Sequence, residues 1–447
     1  MRRALSLSLF LLFALPLQGQ TKNLTLEQAK AIALERNLNV AQAQNNIEAA
    51  QAQALAAKGG YLPTLSASGG WSRSQSTRDG TTTQVINGLP VTAPAFFQVT
   101  NNFTAGVSAG YTLFDGFARS ANVGAATSRA VASELTAART RQAIIFQVVT
   151  DYLNVLRNEY LVSVGAENLK RDLRQLERIV ESNRVGALSM ADVYRQKSQV
   201  AIDEVALITQ QNNYDKSKAD LVALIGLDVA VEYTFNDPLL PTGKDSLDAV
   251  IHAPIPGGIV EMTQKALTAR PDYMGAKENL SASESGVTAA RSTYYPSASI
   301  FGGYSLLNDE LGKLSQNRSA NWGLQIRWTL FDGFQTNQQI QSAIATKRNA
   351  EITLAQTERN IGVDVKKAFI DLEASRKAYD ASREGLVSAT EDRKIAEERY
   401  NLGAGTLLDL LTANANLVQA QANLANSAFG YLVSRYNLEY AIGEKAY

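Results

Sequence analysis

The chain has no cysteine, one histidine and ten prolines in 447 residues. The missing cysteine excludes a disulfide framework, a thiolate metal site and a thiol nucleophile. The single histidine, His252, lies in a proline-rich connector and reads as incidental rather than catalytic. An excess of either charge is also lacking: Lys plus Arg is 43 and Asp plus Glu is 43, so nothing directs the chain toward nucleic acid. Beyond the extreme N-terminus no apolar run approaches the ~18 residues of a membrane-spanning helix. No nucleophile–base set, metal cluster or phosphate loop appears, so no enzyme activity, cofactor or metal is expected.

Proline is also missing over residues 95–237 and 297–447, which permits very long helices. At the N-terminus, Arg2 and Arg3 precede the apolar run Ala4–Leu17, followed by Gln18 and Gly19. This is the pattern of a Sec-type signal peptide over residues 1–19, without a cysteine for lipid attachment. Helix is expected over Leu24–Gly60, capped at Thr25–Gln28 and stopped by Pro63.

Four segments alternate with period two. In the first, Leu65, Ala67, Gly69 and Trp71 oppose Ser66, Ser68, Gly70 and Ser72. In the second, Phe103, Ala105, Val107, Ala109, Tyr111 and Leu113 oppose small polar residues. Strands are therefore expected at about 64–77 and 102–115, and again at about 297–307 and 321–332. The first two carry almost no charge on the polar face, which suits a membrane barrel better than a soluble sandwich. By the same alternation Arg327 faces the bore.

LFDGF closes the second strand at Leu113–Phe117 and the fourth at Leu330–Phe334. Helices of 67 residues, Ala118–Arg184 and Gln335–Asn401, follow. In the first, Ile145, Val149, Tyr152 and Leu156, then Leu169, Leu173, Leu176 and Val180, have the 4-3-4 spacing of a coiled-coil seam. Each long helix ends in a glycine turn, VGALSMAD at Val185–Asp192 and LGAGTLLD at Leu402–Asp409, which lie 217 positions apart (409 − 192). Ser189 and Thr406 open the next helices, 190–225 and 407–443.

The chain is thus an internal duplication of helix, strand, strand, long helix, turn and helix. The first repeat covers 20–226 and the second 258–447, joined by a connector at 227–257 that lacks a clear period. Glu261–Arg291 parallels the first helix, with a kink expected at Pro271. The two shorter helices of a repeat together match the long one to within a turn or two. Stacked end to end beside it they make a shaft ~100 Å long, with the strand pair at its top. Four strands cannot close a barrel, and free edges are not tolerated in lipid. The expected fold is mainly α with a membrane β-barrel, completed as a homotrimer of twelve strands above a periplasmic helical tube.

In the order and lengths of these elements the chain resembles the TolC-type outer membrane efflux proteins over essentially its whole mature length. The resemblance implies a trimeric duct in the outer-membrane lipid, exporting small molecules with a periplasmic adaptor and an inner-membrane pump. It implies that the adaptor docks at Val185, Gly186, Ala187, Leu188 and Ser189, and at Leu402, Gly403, Ala404 and Thr406. It places one aspartate ring of the pore gate on Asp409, the second on Thr412, a latch tyrosine on Tyr400, its acidic partner on Asp192 and a latch arginine on Gly405. Two charged gate elements are therefore absent. Asp192 and Asp409 each also stand third in a capped helix, where a carboxylate satisfies free amides; for Asp409 capping and pore lining are compatible. Phe114, Phe117, Phe331 and Phe334 are expected as a membrane-interface girdle or as plain packing. A protein-secreting duct is the nearest alternative function. A periplasmic coiled-coil scaffold without transport, or a soluble helical adhesin, would be of a different class.

Overall fold

The computed structural model describes residues 22–237, 244–254 and 257–444. The leader at 1–19 lies outside the described residues. The chain divides into two compact units: residues 1–44, 136–271 and 358–447 form one, and 45–135 with 272–357 form the other.

The second unit holds a four-stranded antiparallel sheet, β2 (Thr64–Arg78), β5 (Phe96–Phe114), β7 (Ser297–Asn308) and β8 (Arg318–Arg327), in that order across the sheet. Before these comes a short β1 (Lys22–Leu24), and between β2 and β5 lies a hairpin, β3 (Thr82–Ile86) with β4 (Leu89–Ala93). Its turn residues Asn87 and Gly88 both have positive φ, 50° and 81°, the conformation that matches a two-residue turn to strand twist.

The pairing aligns the alternation of all four long strands. Ala67 faces Val107, Val107 faces Tyr304 and Tyr304 faces Ala320 on the apolar side. Ser66, Ser108, Gly303 and Asn321 form the equivalent row on the polar side. Arg327, opposite Ser297, belongs to the polar side as expected. Phe301 is the exception there, and glycine makes room for it: a Cβ on Gly323 would lie 2.9 Å from its ring.

Helix α3 (Ala118–Arg184) and α8 (Gln335–Asn401) are unbroken and 67 residues long, and the helices after the turns are α4 (Met190–Leu224) and α9 (Leu407–Ile442). Ile145, Val149, Tyr152 and Leu156 are buried as expected. The lower seam is not. Leu173 and Val180 are exposed, and the side chains buried at the same 4-3-4 spacing are Asn168, Asp172, Gln175 and Ile179, one position earlier. Periodicity selected the apolar stripe, but the helix is rotated so that a mostly polar stripe meets its neighbours.

The first helix of each repeat is also broken rather than continuous. α1 (Leu26–Arg36) and α2 (Leu38–Gly59) are separated by Asn37, with ψ 129°; α6 (Ile259–Ala269) and α7 (Pro271–Arg291) are separated by Arg270, with ψ 122°. The physical reason is the end of another helix. Asn37 closes α1 through its N–H to Ala33 O (2.9 Å), accepts Asn39 N–H at Oδ1 (2.9 Å) and donates from Nδ2 to Leu224 O of α4 (2.8 Å). Arg270 closes α6 in the same way and donates from Nη1 to Ala441 O of α9 (3.3 Å), the position equivalent to Leu224. Gly226 and Gly443, with φ of 75° and 84°, cap α4 and α9 at these breaks.

The connector, read as lacking a period, carries β6 (Tyr233–Phe235), parallel to β1, and α5 (Lys244–Ile251). Phe235 meets Tyr152 edge-on at 5.8 Å, and Tyr152 donates its hydroxyl to Leu24 O at 2.9 Å. A Cβ on Gly226 would lie 2.9 Å from Arg36 Cβ. Gly226→Ala is expected to lower stability by about 1–3 kcal/mol, from the left-handed backbone and this clash together. The check is the thermal midpoint of the detergent-solubilised protein.

Candidate functional site

The residues singled out at the two turns come together in the first unit. α3 ends at Arg184; Gly186 (φ 79°) donates to Asn183 O at 2.9 Å and Ala187 N–H reaches back to Ser182 O at 2.8 Å. This reversal satisfies terminal carbonyls of the helix and needs a left-handed residue, which glycine supplies without steric cost. Asn183 Nδ2 then donates to Leu188 O (2.7 Å), fixing the turn from inside. The second turn repeats the geometry: Gly403 has φ 73°, and Ala404 N–H reaches Arg399 O at 2.8 Å.

The return helices start at hydroxyl caps. Ser189 Oγ accepts Asp192 N–H (3.2 Å) and donates to Asp192 Oδ2 (2.7 Å), while Arg195 pairs with the same carboxylate at 3.3 Å. At the second turn the box is complete: Thr406 Oγ1 accepts Asp409 N–H (3.2 Å), and Asp409 Oδ2 accepts both Thr406 N–H (3.0 Å) and Thr406 Oγ1–H (2.8 Å). The backbone N–H and hydroxyl of Thr406 hold the Asp409 carboxyl below the usual carboxylate range.

An apolar cluster joins the turns. Ile179, Val193 and Leu407 are buried together, with Leu188, Tyr400 and Leu411 packed on them. Burial raises the Tyr400 phenol above its ordinary pKa, and the Asp192 charge adds to the rise. No hydrogen bond joins Tyr400 to Asp192 among the described residues; that carboxylate accepts from Ser189 and Arg195, and the buried Tyr400 hydroxyl has no partner. Val185, Leu402 and Leu408 remain exposed at the ends of the turns. Gly405 lies close against α8, where a Cβ would stand 3.2 Å from Arg399 Cβ. Thr412 donates its hydroxyl to Leu408 O at 2.9 Å.

At the strand exits, the aspartate of each LFDGF sits where a helix begins. Asp115 Oδ2 accepts the N–H (3.1 Å) and Nε–H (2.8 Å) of Arg119, and Asp332 Oδ2 accepts the N–H (2.8 Å) and Oγ1–H (2.6 Å) of Thr336. Phe114 with Phe117 and Phe331 with Phe334 form edge-to-face pairs, at 5.6 and 5.7 Å. Phe117 and Phe334 have φ of 73° and 69°, a conformation that a bulky side chain rarely adopts. The repetition of LFDGF was the available signal for these helix starts. The role of His252 had none: its Nδ1 lies 2.9 Å from Asp248 O and its Nε2 3.1 Å from Asp380 Oδ1, oxygens that accept from the ring, tying the end of α5 to α8.

A duplicated chain with paired strand exits, unbroken 67-residue helices and twin capped turns can be set beside known proteins. Residues 31–227 and 262–444 match the family described as outer membrane efflux protein. The chain belongs to that family. It is 27% identical over 426 residues to the probable efflux pump outer membrane protein TtgC of Pseudomonas putida, covering 94% of this chain and 82% of that one. It is 23% identical to the outer membrane protein TolC of Escherichia coli, over 69% of this chain and 63% of TolC. Crystal structures of CusC, described in terms of transmembrane channel formation, share the fold at TM-score 0.79 and 19% identity, over 94% of this chain and 92% of that one. As in this outer-membrane family, the protomer is mainly helical and the sheet is its barrel part.

Asp409 caps α9 only while ionised, and its pKa is depressed in the folded chain. That contribution is therefore present above the unfolded carboxylate value of about 4 and is lost as pH falls through the lower folded value. Acid should fray the first turn of α9, and Thr406→Ala should do so at neutral pH, accelerating hydrogen exchange of residues 406–411 about fivefold. Exchange unchanged in both conditions contradicts the capping assignment.

Proposed function

We propose that three copies of this chain form a passive exit duct in the outer membrane, delivered there by the Sec leader. The duct carries small molecules handed over by an inner-membrane pump through a periplasmic adaptor. The observation that carries this reading is an incomplete repeat of strand pairing. Thr64 pairs with Gly110, and Ser297 pairs with Arg327, the same register displaced by one repeat. Between the repeats β5 pairs with β7, Val107 against Tyr304. The equivalent partner of β8 is β2, which lies on the opposite edge. β5 continues to Phe114 beside β7, whereas β8 stops at Arg327 and Trp328–Phe331 has nothing to pair with.

Advancing the register by one repeat sets Leu324 of one copy against Trp71 of the next. Two copies would make eight strands, a barrel that side chains fill; three make twelve, wide enough for an aqueous bore. The helices carry the same deficit. Leu153 of α3 is 1% exposed but its equivalent Ile370 of α8 is 49% exposed; Ala425 of α9 is 5% exposed but Ile208 of α4 is 68% exposed. The uncovered faces of α4 and α8 are those that a neighbouring copy would cover.

In this assembly the exposed turns 185–189 and 402–406 receive the adaptor. Asp409, presented once per copy, narrows the entrance and favours cations. Tyr400 and Asp192 contribute to closure, without the arginine and second aspartate that Gly405 and Thr412 replace. Phe114, Phe117, Phe331 and Phe334 sit at the lipid–water boundary. The similarity to an efflux-pump component supports small molecules as cargo.

The natural absence of cysteine makes the test clean. Leu324→Cys with Trp71→Cys is expected to give a disulfide-linked ladder ending at three copies on a non-reducing gel. A ladder ending elsewhere, or linkage only in a shifted register, rejects the assembly. Asp409→Ala is expected to raise single-channel conductance and weaken cation preference in planar bilayers; unchanged values remove Asp409 from the gate. Drug hypersensitivity on deletion supports transport, and shape defects with normal sensitivity support a scaffold.

A further inference from the structure

The mostly polar seam of α3 has its centre at Asp172, which is 1% exposed. Against it α4 presents Gln196, 0% exposed, and Asp203, 7% exposed. Gln196 Nε2 donates to the backbone carbonyl of Asp172 at 3.2 Å, and Asn414 Nδ2 of α9 approaches Asp172 Oδ1 at 3.5 Å. Arg393 of α8 donates to Asn414 Oδ1 (3.2 Å) and pairs with Glu397 (2.8 Å). Gln199 Nε2 donates to Asp203 Oδ1 at 3.0 Å. The two remaining carboxylate oxygens, Asp172 Oδ2 and Asp203 Oδ2, are buried without a donor, as is Gln196 Oε1. Arg171 is the adjacent cation on α3; its Nη2 donates to Asn168 Oδ1 at 3.1 Å, and its Nε is buried without an acceptor, so it does not reach either carboxylate oxygen.

Buried acceptors without a donor are costly, and two neighbouring carboxylates cannot both ionise readily. One proton between the two carboxylates pairs their free oxygens and removes one of the two charges. We propose that Asp172 takes one proton from solvent and donates it in a hydrogen bond to the Asp203 carboxylate, forming a proton-binding site that clamps α3 to α4 and opens when the proton returns to solvent. The internal duplication argues that this polarity is not needed for packing. One repeat further on, the positions of Asp172, Gln196 and Asp203 are Ala389, Ala413 and Ala420, and the second helix pair forms with alanine there.

The titration falls in the physiological range. Burial first, then Asp203, push the Asp172 carboxyl up to about 7, against the opposing influence of Arg171 and Gln196. Because the folded value lies above the unfolded one, the stabilisation is complete at acid pH and is lost as pH rises through about 7. The site lies 13 residues before Val185, ~20 Å along the helix from the first turn, so its release loosens the arm that ends in that turn.

Hydrogen exchange of the full-length protein in detergent, corrected for the intrinsic pH dependence, tests this whether or not the chain conducts. Protection over 168–176 and 196–207 is expected to fall about tenfold between pH 6 and 8. Residues 385–391 of the second repeat should not change. Asp172→Asn, whose amide supplies the missing donor permanently, should abolish the pH dependence, and Asp203→Asn should do the same if the first variant fails to fold. No fall in the wild-type chain, or a fall that persists in the asparagine variant, overturns the proposal.

Discussion

Backbone hydrogen bonding at the edges of the sheet is the constraint on which the rest depends. Each strand in a bilayer must satisfy its amides and carbonyls within the protein, because lipid offers no donors or acceptors. β2 and β8 lie at the two edges of the sheet, and among the described residues no further strand pairs with either. In the proposed assembly further copies close these edges, which accounts for the small polar residues on one face and the apolar ones on the other. Closure of that kind would leave water on one side and lipid on the other.

Duplication lets the chain serve as its own control. Where the repeats agree, a shared structural requirement is visible: glycine at 186 and 403 for the reversal, a hydroxyl at 189 and 406 for the cap, aspartate at 115 and 332 for the helix start. The junctions at Asn37 and Arg270 show the same requirement met by different chemistry. An amide in one repeat and a guanidinium in the other each interrupt a helix to hold the last carbonyls of another. Where the repeats disagree, their surroundings differ. Leu153 is covered and Ile370 is not; Asp172 and Asp203 are buried where the second repeat has alanine.

Much of this was legible from the residues alone. Period-two alternation located all four long strands, although β8 ended early for want of a partner. Freedom from proline and the glycine–hydroxyl signals bounded the long helices and turns. The breaks at Asn37 and Arg270 were not legible, since neither residue prevents a helix. It is the arrival of α4 and α9, some two hundred or fewer positions away in sequence, that makes the break favourable. The hairpin β3–β4 was not legible: Asn87-Gly88 suits a two-residue turn, but the flanking residues alternate too weakly to be read as strands.

The sequence by itself determined the duplication, the element order and the chemistry of the turns, because helix caps, glycine reversals and strand alternation are local and recur with their residues. Tertiary structure decided which stripe of α3 faces inward. Local periodicity favoured Leu169, Leu173, Leu176 and Val180, whereas the buried stripe is Asn168, Asp172, Gln175 and Ile179. A helix has a rotation about its axis that its own sequence does not set when two stripes compete. That choice is made by the neighbouring helices, whose Gln196, Asp203 and Asn414 surround the polar stripe, leaving Leu173 and Val180 exposed on the protomer.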